Sequence, residues 1–288
     1  MRALGLIERM NHMNTFPSSP LRVRRETFAD GLTLRVDEQG SGRPILVLHG
    51  GGGPQSVAGL ASPLSKLARV LVPTHPGFAG EPRPEWFDSI DDLAFAYLGL
   101  LERLDLRDVV VIGSSMGGWI ASAMAVRGST RLGGIVLVNA VGIQVEGHPV
   151  ADVSTLTPDE LAALSFHNPA AFRIDPSTLS PERAAISAAN IRTLYVYDQG
   201  RGMSDPELRL RLGGVRIPAL VVWGESDRVV DAAYGRAYAQ AYPDARFQLI
   251  PEAGHLPQIE QPERLLALVW EFVNGIPVSP GADRSSQP

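Results

Sequence analysis

The sequence predicts an α/β protein, in which a mostly parallel β-sheet has helices on both faces and is interrupted by a helical insertion. Short apolar segments alternate with segments of helical periodicity over most of the 288 residues, as in proteins with a parallel sheet. Residues 109–126 show one such unit clearly, because four β-branched residues precede a glycine-rich turn and a helix-forming segment. The alternation stops between residues 142 and 214 and then resumes, which indicates the insertion.

Composition and charge restrict the class of protein. A hydrophobic content of 44% and a charged content of 20% are ordinary for a globular protein. The formal net charge of -5 includes no run of like charges, so we expect neither a nucleic acid nor a membrane as a partner. The absence of cysteine excludes a disulfide framework and a thiolate nucleophile. Met1–Phe16 has no secretory signal pattern, and no apolar run could span a bilayer, so we expect a cytoplasmic location.

The first half of the chain contains most of the predicted sheet. Asp30-Gly31 is typical of a β-hairpin turn and lies between two strand-like segments, 26–29 and 32–37. Apolar residues at helical spacing over 89–104 predict a surface helix. The further predicted strands cover 44–48, 70–73, 109–112 and 134–139, and the further predicted helices cover 57–68 and 119–126.

The insertion contains three repeated helix-start signals. Thr157, Ser180 and Asp205 are each followed by proline and then by an acidic residue, which is typical of a helix N-terminus. Strands at 219–223 and 246–250 and helices at 232–241 and 263–274 follow. We therefore predict an N-terminal arm (1–24), a core (25–141 and 215–274), a helical cap (142–214) and a flexible tail (275–288) that is rich in proline, serine and glycine.

The turn after the strand Val109–Ile112 has the spacing Gly-x-Ser-x-Gly, with Ser115 at its centre. A sharp turn from strand to helix holds the serine in a strained conformation and requires small residues two positions away. Gly113 and Gly117 meet this requirement, because glycine has no Cβ atom that could clash. Ser115 is therefore a candidate nucleophile.

A nucleophilic serine needs a base, and the base needs an acid that orients it. Such groups belong in loops at the carboxyl ends of the strands. Asp227 follows the strand 219–223, and His255 follows the strand 246–250, so Ser115, Asp227 and His255 are the candidate triad. Glu225 is an alternative acid. Asn139 also ends a strand, but an amide cannot stabilise an imidazolium as a carboxylate does, and we set it aside.

Four motifs that each follow a predicted strand resemble those of the α/β-hydrolase fold superfamily, over about Arg25–Asn274: His49-Gly50-Gly51, Gly113-Ser114-Ser115-Met116-Gly117-Gly118, Trp223-Gly224-Glu225-Ser226-Asp227 and Gly254-His255. The resemblance implies an α/β-hydrolase fold with an eight-stranded sheet and a helical cap. It further implies that Ser115 attacks an acyl carbon, that His255 transfers the proton and that Asp227 holds the imidazole. The oxyanion hole would then consist of the backbone N–H of Met116 and, from the loop after Leu48, that of Gly51.

The glycine run at 50–53 lacks the Lys-Ser/Thr of a P-loop and does not match the dinucleotide fingerprint, so we interpret it as an oxyanion-hole loop. His49 and His75 are then expected to be structural. No pair of histidines has metal-ligand spacing, and we expect neither a metal nor a cofactor. We predict that Met116 touches substrate and that Trp119 is in the core. Some aromatic residues of the insertion should line an acyl pocket: Phe166, Phe172, Tyr195 and Tyr197.

These residues favour a serine hydrolase that cleaves a small carboxylic ester or lactone through an acyl-enzyme. Carbon–carbon bond hydrolysis, as in meta-cleavage product hydrolases, is the nearest alternative. That family typically has Asn before the nucleophile and Trp after the histidine, where this chain has Ser114 and Leu256. A haloperoxidase-like side activity and a non-enzymatic small-ligand receptor stay open, since both occur on the same fold. The expected partner is a small acyl substrate, and a homodimer also stays open.

Overall fold

The computed structural model describes residues 20–172 and 180–277. One sheet contains the strands Arg22–Thr27 (β1), Thr33–Gln39 (β2), Pro44–Leu48 (β3), Arg69–Thr74 (β4), Val109–Ser114 (β5), Leu132–Val138 (β6), Ala219–Gly224 (β7) and Ala245–Ile250 (β8). The spatial order is β1-β2-β4-β3-β5-β6-β7-β8. Strands β3 to β8 are parallel, and β2 is antiparallel to both of its neighbours. The prediction of a mostly parallel eight-stranded sheet is confirmed.

Helices follow most of the strands. Their bounds are Ala58–Leu64 (α1), Ile90–Arg103 (α2), Met116–Ala125 (α3), Pro158–Ser165 (α4), Pro169–Phe172 (α5), Pro181–Asp198 (α6), Leu208–Leu212 (α7), Ala232–Ala241 (α8), Pro257–Glu260 (α9) and Pro262–Gly275 (α10). Short 3₁₀ turns occupy Ala29–Gly31 and Pro54–Val57. In the described ranges, no helix combines the length and the apolar character that crossing a membrane requires.

The centre of the sheet is buried on both faces, and residues 109–112 of strand β5 illustrate why the central strands are largely apolar. Val109 and Val111 belong to one hydrophobic cluster, together with residues of α2, α3 and α8. Val110 and Ile112 belong to the other, together with residues of α1 and α10. Successive side chains of a strand point to opposite faces, so a strand covered on both sides has no position that faces solvent.

Two of the three predicted helix starts between β6 and β7 are confirmed. Thr157 forms a capping box at the start of α4, and the side chain of Ser180 accepts a hydrogen bond from the third residue of its helix. The third signal is wrong by two residues, since α7 begins only at Leu208. The carboxylate of Asp205 accepts a hydrogen bond from the N–H of Glu207 at 2.9 Å, which closes a local turn before the helix begins.

Several predicted boundaries differ from the structure. Strand β1 begins at Arg22, so its first residues lie within the predicted arm. Helix α1 ends at Leu64 rather than at Ala68, and a 3₁₀ turn precedes it. Residues 1–19 of the predicted arm and residues 278–288 of the predicted tail lie outside the described residues. The division into core and cap stays a prediction.

Candidate active site

The turn between β5 and α3 has the strained geometry that its glycine spacing predicts. Ser115 has φ 54° and ψ -118°, a combination that non-glycine residues rarely adopt. A Cβ atom at Gly113 would lie 2.2 Å from the carbonyl oxygen of Gly117, and one at Gly117 would lie 2.2 Å from that of Leu48. The backbone segments are thus too close for any other residue, and the serine stands at the tip of the turn.

Ser115, His255 and Asp227 lie in line at the carboxyl ends of β5, β8 and β7. The Oγ atom of Ser115 is 3.0 Å from Nε2 of His255. Nδ1 of the same ring is 2.8 Å from Oδ2 of Asp227. Because a carboxylate oxygen only accepts, Nδ1 carries the proton and Nε2 presents its lone pair to the serine hydroxyl. This is the arrangement that a general base needs before it can remove a proton.

Asp227 is buried and holds four hydrogen bonds at its two oxygens. One is the bond from His255, and two come from the N–H groups of Val229 and Val230, at 2.8 and 3.1 Å from Oδ1. The fourth comes from Nδ2 of Asn139, which is 2.6 Å from Oδ2. The acid is therefore held from two sides, and its orientation toward the imidazole is fixed.

Asn139, which sequence reasoning set aside, is the residue that joins the acid loop to the end of β6. Its Oδ1 accepts the N–H of Gly224 at 3.2 Å, while its Nδ2 reaches Asp227 and, at 3.3 Å, the carbonyl of Gly254. The signal in the sequence was an asparagine directly after an apolar strand, a position that the structure shows to be buried. Glu225, the alternative acid, is exposed, and its N–H pairs with the carbonyl of Ile250.

Of the two predicted oxyanion donors, Met116 follows Ser115 in the chain and Gly51 lies in the lining of the same cavity. Met116 is the first residue of α3, where an N–H has no partner inside the helix. Gly51 lines the cavity above Ser115. Close approach of this loop depends on glycine, since a Cβ atom at Gly50 would lie 2.8 Å from Cβ of Ser115. The side chain of Met116 is buried at 1% exposure and does not line the cavity, so the prediction that this residue touches substrate depends on its backbone N–H.

Two buried histidines support the glycine loop. Nε2 of His49 accepts the N–H of His75, so its Nδ1 donates to the carbonyl of Gly50 at 2.8 Å. Nε2 of His75 donates to the carbonyl of His49 at 2.9 Å, and Tyr97 donates its hydroxyl to Nδ1. Burial lowers the pKa of His49 to about 4 and that of His75 well below its ordinary value. Both rings are therefore neutral at physiological pH.

A cavity of about 210 Å³ lies above the serine. Its floor includes Ser115, His255 and the glycine loop, and its walls are mostly aliphatic. One wall is a single face of α6, formed by residues at spacings of three and four: Ser187, Asn190, Ile191 and Leu194. This periodicity was visible in the sequence, but it does not reveal which face of the helix covers the site.

The prediction of an aromatic pocket is wrong, because none of the four aromatic residues lines this cavity. Phe166 and Phe172 stack on each other with ring centroids 5.1 Å apart. Tyr197 donates to the carbonyl of Pro76 at 2.8 Å and is in the core, as is Trp119, whose assignment is confirmed. Tyr195 donates to Asp152 at 2.6 Å, and burial raises its pKa to about 12.

The carboxyl end of α4 is bonded to the loops that carry the acid and the base. The carbonyl of Ser165 accepts the N–H of His255 at 2.7 Å, and that of Leu164 accepts the N–H of Arg228 at 3.1 Å. Glu260 adds a further link, because its carboxylate accepts the N–H groups of Gly254 and His167. These hydrogen bonds attach the carboxyl end of α4 to the loop that carries His255.

Residues 20–172 and 180–277 contain no group of three or more histidine, aspartate or glutamate side chains arranged to hold a metal ion.

Comparisons with known proteins identify the family of this fold. A sequence profile described as "Alpha/beta hydrolase family" matches residues 45–268. The 2-hydroxymuconate semialdehyde hydrolase of Pseudomonas putida is 26% identical, over 91% of this chain and 97% of that protein. A thermophilic esterase from Thermogutta terrifontis has a TM-score of 0.69 at 25% identity, over 89% of this chain and 98% of its own. A meta-cleavage product hydrolase from Pseudomonas fluorescens IP01 shares the fold, with a TM-score of 0.71 at 22% identity over 88% and 98%.

Proposed function

The chain belongs to the alpha/beta hydrolase family, and on that premise we propose that it is a serine hydrolase that cleaves a small carboxylic ester or lactone. The observation that carries the proposal is the line of hydrogen bonds from Ser115 through His255 to Asp227, at 3.0 and 2.8 Å, on the floor of a mostly apolar cavity. A hydroxyl paired in this way with an oriented base is the recurrent arrangement for acyl transfer.

The reaction would proceed in two halves. Oγ of Ser115 attacks the acyl carbon while Nε2 of His255 takes the hydroxyl proton, and the carbonyl oxygen becomes an oxyanion. The N–H groups of Gly51 and Met116 would donate to that oxygen, and one such donor is typically worth about 2.7–4 kcal/mol. The acyl–oxygen bond then breaks, and the imidazolium returns its proton to the leaving alkoxide. Water repeats these steps on the acyl-enzyme and releases the acid.

Asp227 would keep the imidazole in the tautomer that this sequence of steps requires. Its hydrogen bond to Nδ1 orients the ring and stabilises the imidazolium that forms during each half-reaction. Asn139 and the N–H groups of Val229 and Val230 would act as positioning groups, since they contact the carboxylate rather than the substrate.

Hydrolysis of a carbon–carbon bond is the second candidate. The relative from Pseudomonas putida favours it, because that protein is named for 2-hydroxymuconate semialdehyde. The esterase from Thermogutta terrifontis, at a similar identity, favours the ester. Ser114 and Leu256 stand where the carbon–carbon hydrolases typically have Asn and Trp, which is why we place ester cleavage first.

The first test is labelling by an active-site-directed fluorophosphonate. We expect the wild type and the exposed control Ser62→Ala to react, and Ser115→Ala to remain unlabelled. Labelling that survives in Ser115→Ala would remove the nucleophile from the proposal. No labelling of the wild type, together with saturable binding of a small ligand, would make the chain a receptor.

The second test compares substrates. p-Nitrophenyl butyrate, δ-valerolactone and 2-hydroxymuconate semialdehyde are offered to the wild type and to Ser115→Ala. We expect kcat/KM to be highest for the ester or the lactone, with the activity lost in the variant. A higher value for the semialdehyde would replace ester cleavage by carbon–carbon hydrolysis.

A further inference from the structure

We propose that the side-chain amide of Asn190 is a specificity-determining donor, and that the cavity selects an uncharged substrate with a second oxygen acceptor away from the scissile carbonyl. The proposal rests on the hydrolase function proposed above. It concerns which esters the site prefers rather than how it cleaves them.

The orientation of the Asn190 amide is fixed by a hydrogen bond to the loop that contains Ala79. Its Oδ1 accepts the backbone N–H of Ala79 at 2.9 Å, so the oxygen end is already paired. The NH₂ end must therefore point the other way, since the two ends of an amide are opposite. In the part of the chain that the structure describes, no protein group accepts a hydrogen bond from Nδ2, and this atom is not one of the fully buried polar atoms without a partner, so it is reached from the cavity that Asn190 lines.

The free donor lies above the glycine loop. A Cβ atom at Gly53 would lie 2.8 Å from Nδ2 of Asn190, while Gly50 in the same loop lies against Ser115. Asn190 and the nucleophile therefore line one cavity from opposite ends of a short loop. A donor that faces a mostly apolar cavity fixes the orientation of a ligand whose oxygen pairs with it.

The cavity wall determines which kind of oxygen is accepted. Among the described residues that line it, there is no lysine, arginine, aspartate or glutamate, and His255 is the single titratable side chain. A carboxylate bound there would lose its hydration without gaining a cation. The relative from Pseudomonas putida is named for a substrate that carries a carboxylate. A neutral amide donor in an apolar wall instead fits an ether, carbonyl or hydroxyl oxygen.

The test uses pairs of esters that differ by one atom. In each pair, one methylene of the acyl chain or of the alcohol is replaced by oxygen, at successive positions, and each rate is divided by that of alkaline hydrolysis. We expect the wild type to prefer the oxygen member of at least one pair by about tenfold in kcat/KM. The preference should appear mainly in KM, because the bond exists before and during the reaction.

Asn190→Asp is the matched variant, because its carboxyl group keeps an acceptor for Ala79 while replacing the donor with a second acceptor. We expect it to reduce the preference to one or below, whereas Ile191→Val on the same helix face should retain it. A wild type that hydrolyses the esters but prefers no oxygen-bearing member overturns this inference and leaves the hydrolase standing. An equal preference in Asn190→Asp overturns it as well. No hydrolysis of any ester is instead the failure of the proposed function.

A second comparison tests whether the cavity selects against charged substrates. The mono-p-nitrophenyl ester of adipic acid, whose carboxylate does not readily close a ring onto its own ester, should be hydrolysed at least about tenfold more slowly than its methyl-capped counterpart, because only the former brings a carboxylate into the cavity. Equal rates, or a faster reaction of the acid, would refute the selection against charge.

Discussion

Replacement of His49 should reduce the pH dependence of stability by an amount that follows from its burial. The ring is fully buried, and its pKa is lowered to about 4, whereas histidine in an unfolded chain titrates near pH 6.5. The unfolded chain therefore binds more protons between these values. The contribution of the neutral His49 ring to the free energy of unfolding is therefore complete above about pH 6.5. It is lost as the pH falls through about 4. The difference corresponds to about 3 kcal/mol in total, of which about 2 kcal/mol is lost between pH 7 and pH 5.

Urea unfolding at pH 7, 6 and 5 measures this directly. We expect the free energy of unfolding of the wild type to fall by about 2 kcal/mol more than that of His49→Asn over this range. Phe78→Leu is the control, because its ring packs on both imidazoles, with centroids 5.0 and 5.8 Å apart, and carries no proton. It should lower stability equally at all three pH values. The same pH dependence in the wild type and in His49→Asn would refute the reasoning.

Three further predictions concern the acid and the turn. Asp227→Asn should lower kcat by about 10⁴-fold, because the imidazole loses its orienting charge, whereas Glu225→Gln should change it little; the reverse result in ester hydrolysis would exchange the two assignments. Asn139→Ala should lower kcat by about tenfold at unchanged KM, because a hydrogen bond to a charged group is worth about 1.5–3 kcal/mol. Initial rates of ester hydrolysis measure both values. An unchanged kcat would contradict the positioning role of Asn139. Gly117→Ala should lower the free energy of unfolding in urea by about 3 kcal/mol, because the added Cβ atom would clash with backbone atoms. Gly59→Ala, whose Cβ atom would make only an ordinary contact, should lower it by less than about 1 kcal/mol. Equal losses in the two variants would count against the turn geometry.

The sheet and the line of polar groups could be predicted because each depends on a local pattern. The four β-branched residues Val109–Ile112 predict a strand buried on both faces, and the glycines around Ser115 are required by backbone contacts that any side chain would break. The order of Asp227 and His255 after successive strands then follows from a parallel sheet, in which carboxyl ends meet at one edge.

The wall of the cavity could not be predicted in the same way, because it depends on where separate segments pack. The aromatic residues between β6 and β7 were expected in the pocket by residue type, but Tyr197 packs into the core against Phe78. Asn190 could not be identified from the sequence, since its spacing on α6 does not say which face meets the serine. Asn139 cannot be the acid of the triad, because an amide does not stabilise an imidazolium as a carboxylate does. Its hydrogen bond to Asp227 depends on tertiary contacts, which the sequence does not reveal.

The hydrogen bond from His255 to the carbonyl of Ser165 has a consequence for turnover. If α4 swung outward to admit substrate, it would pull on the imidazole and disturb its alignment with the serine. Substrate entry and product release that keep this bond intact need an opening on the opposite side of the cavity, along the wall formed by α6. A cross-link that ties α4 to the histidine loop should leave catalysis intact, whereas one that ties α6 to the core should trap the product.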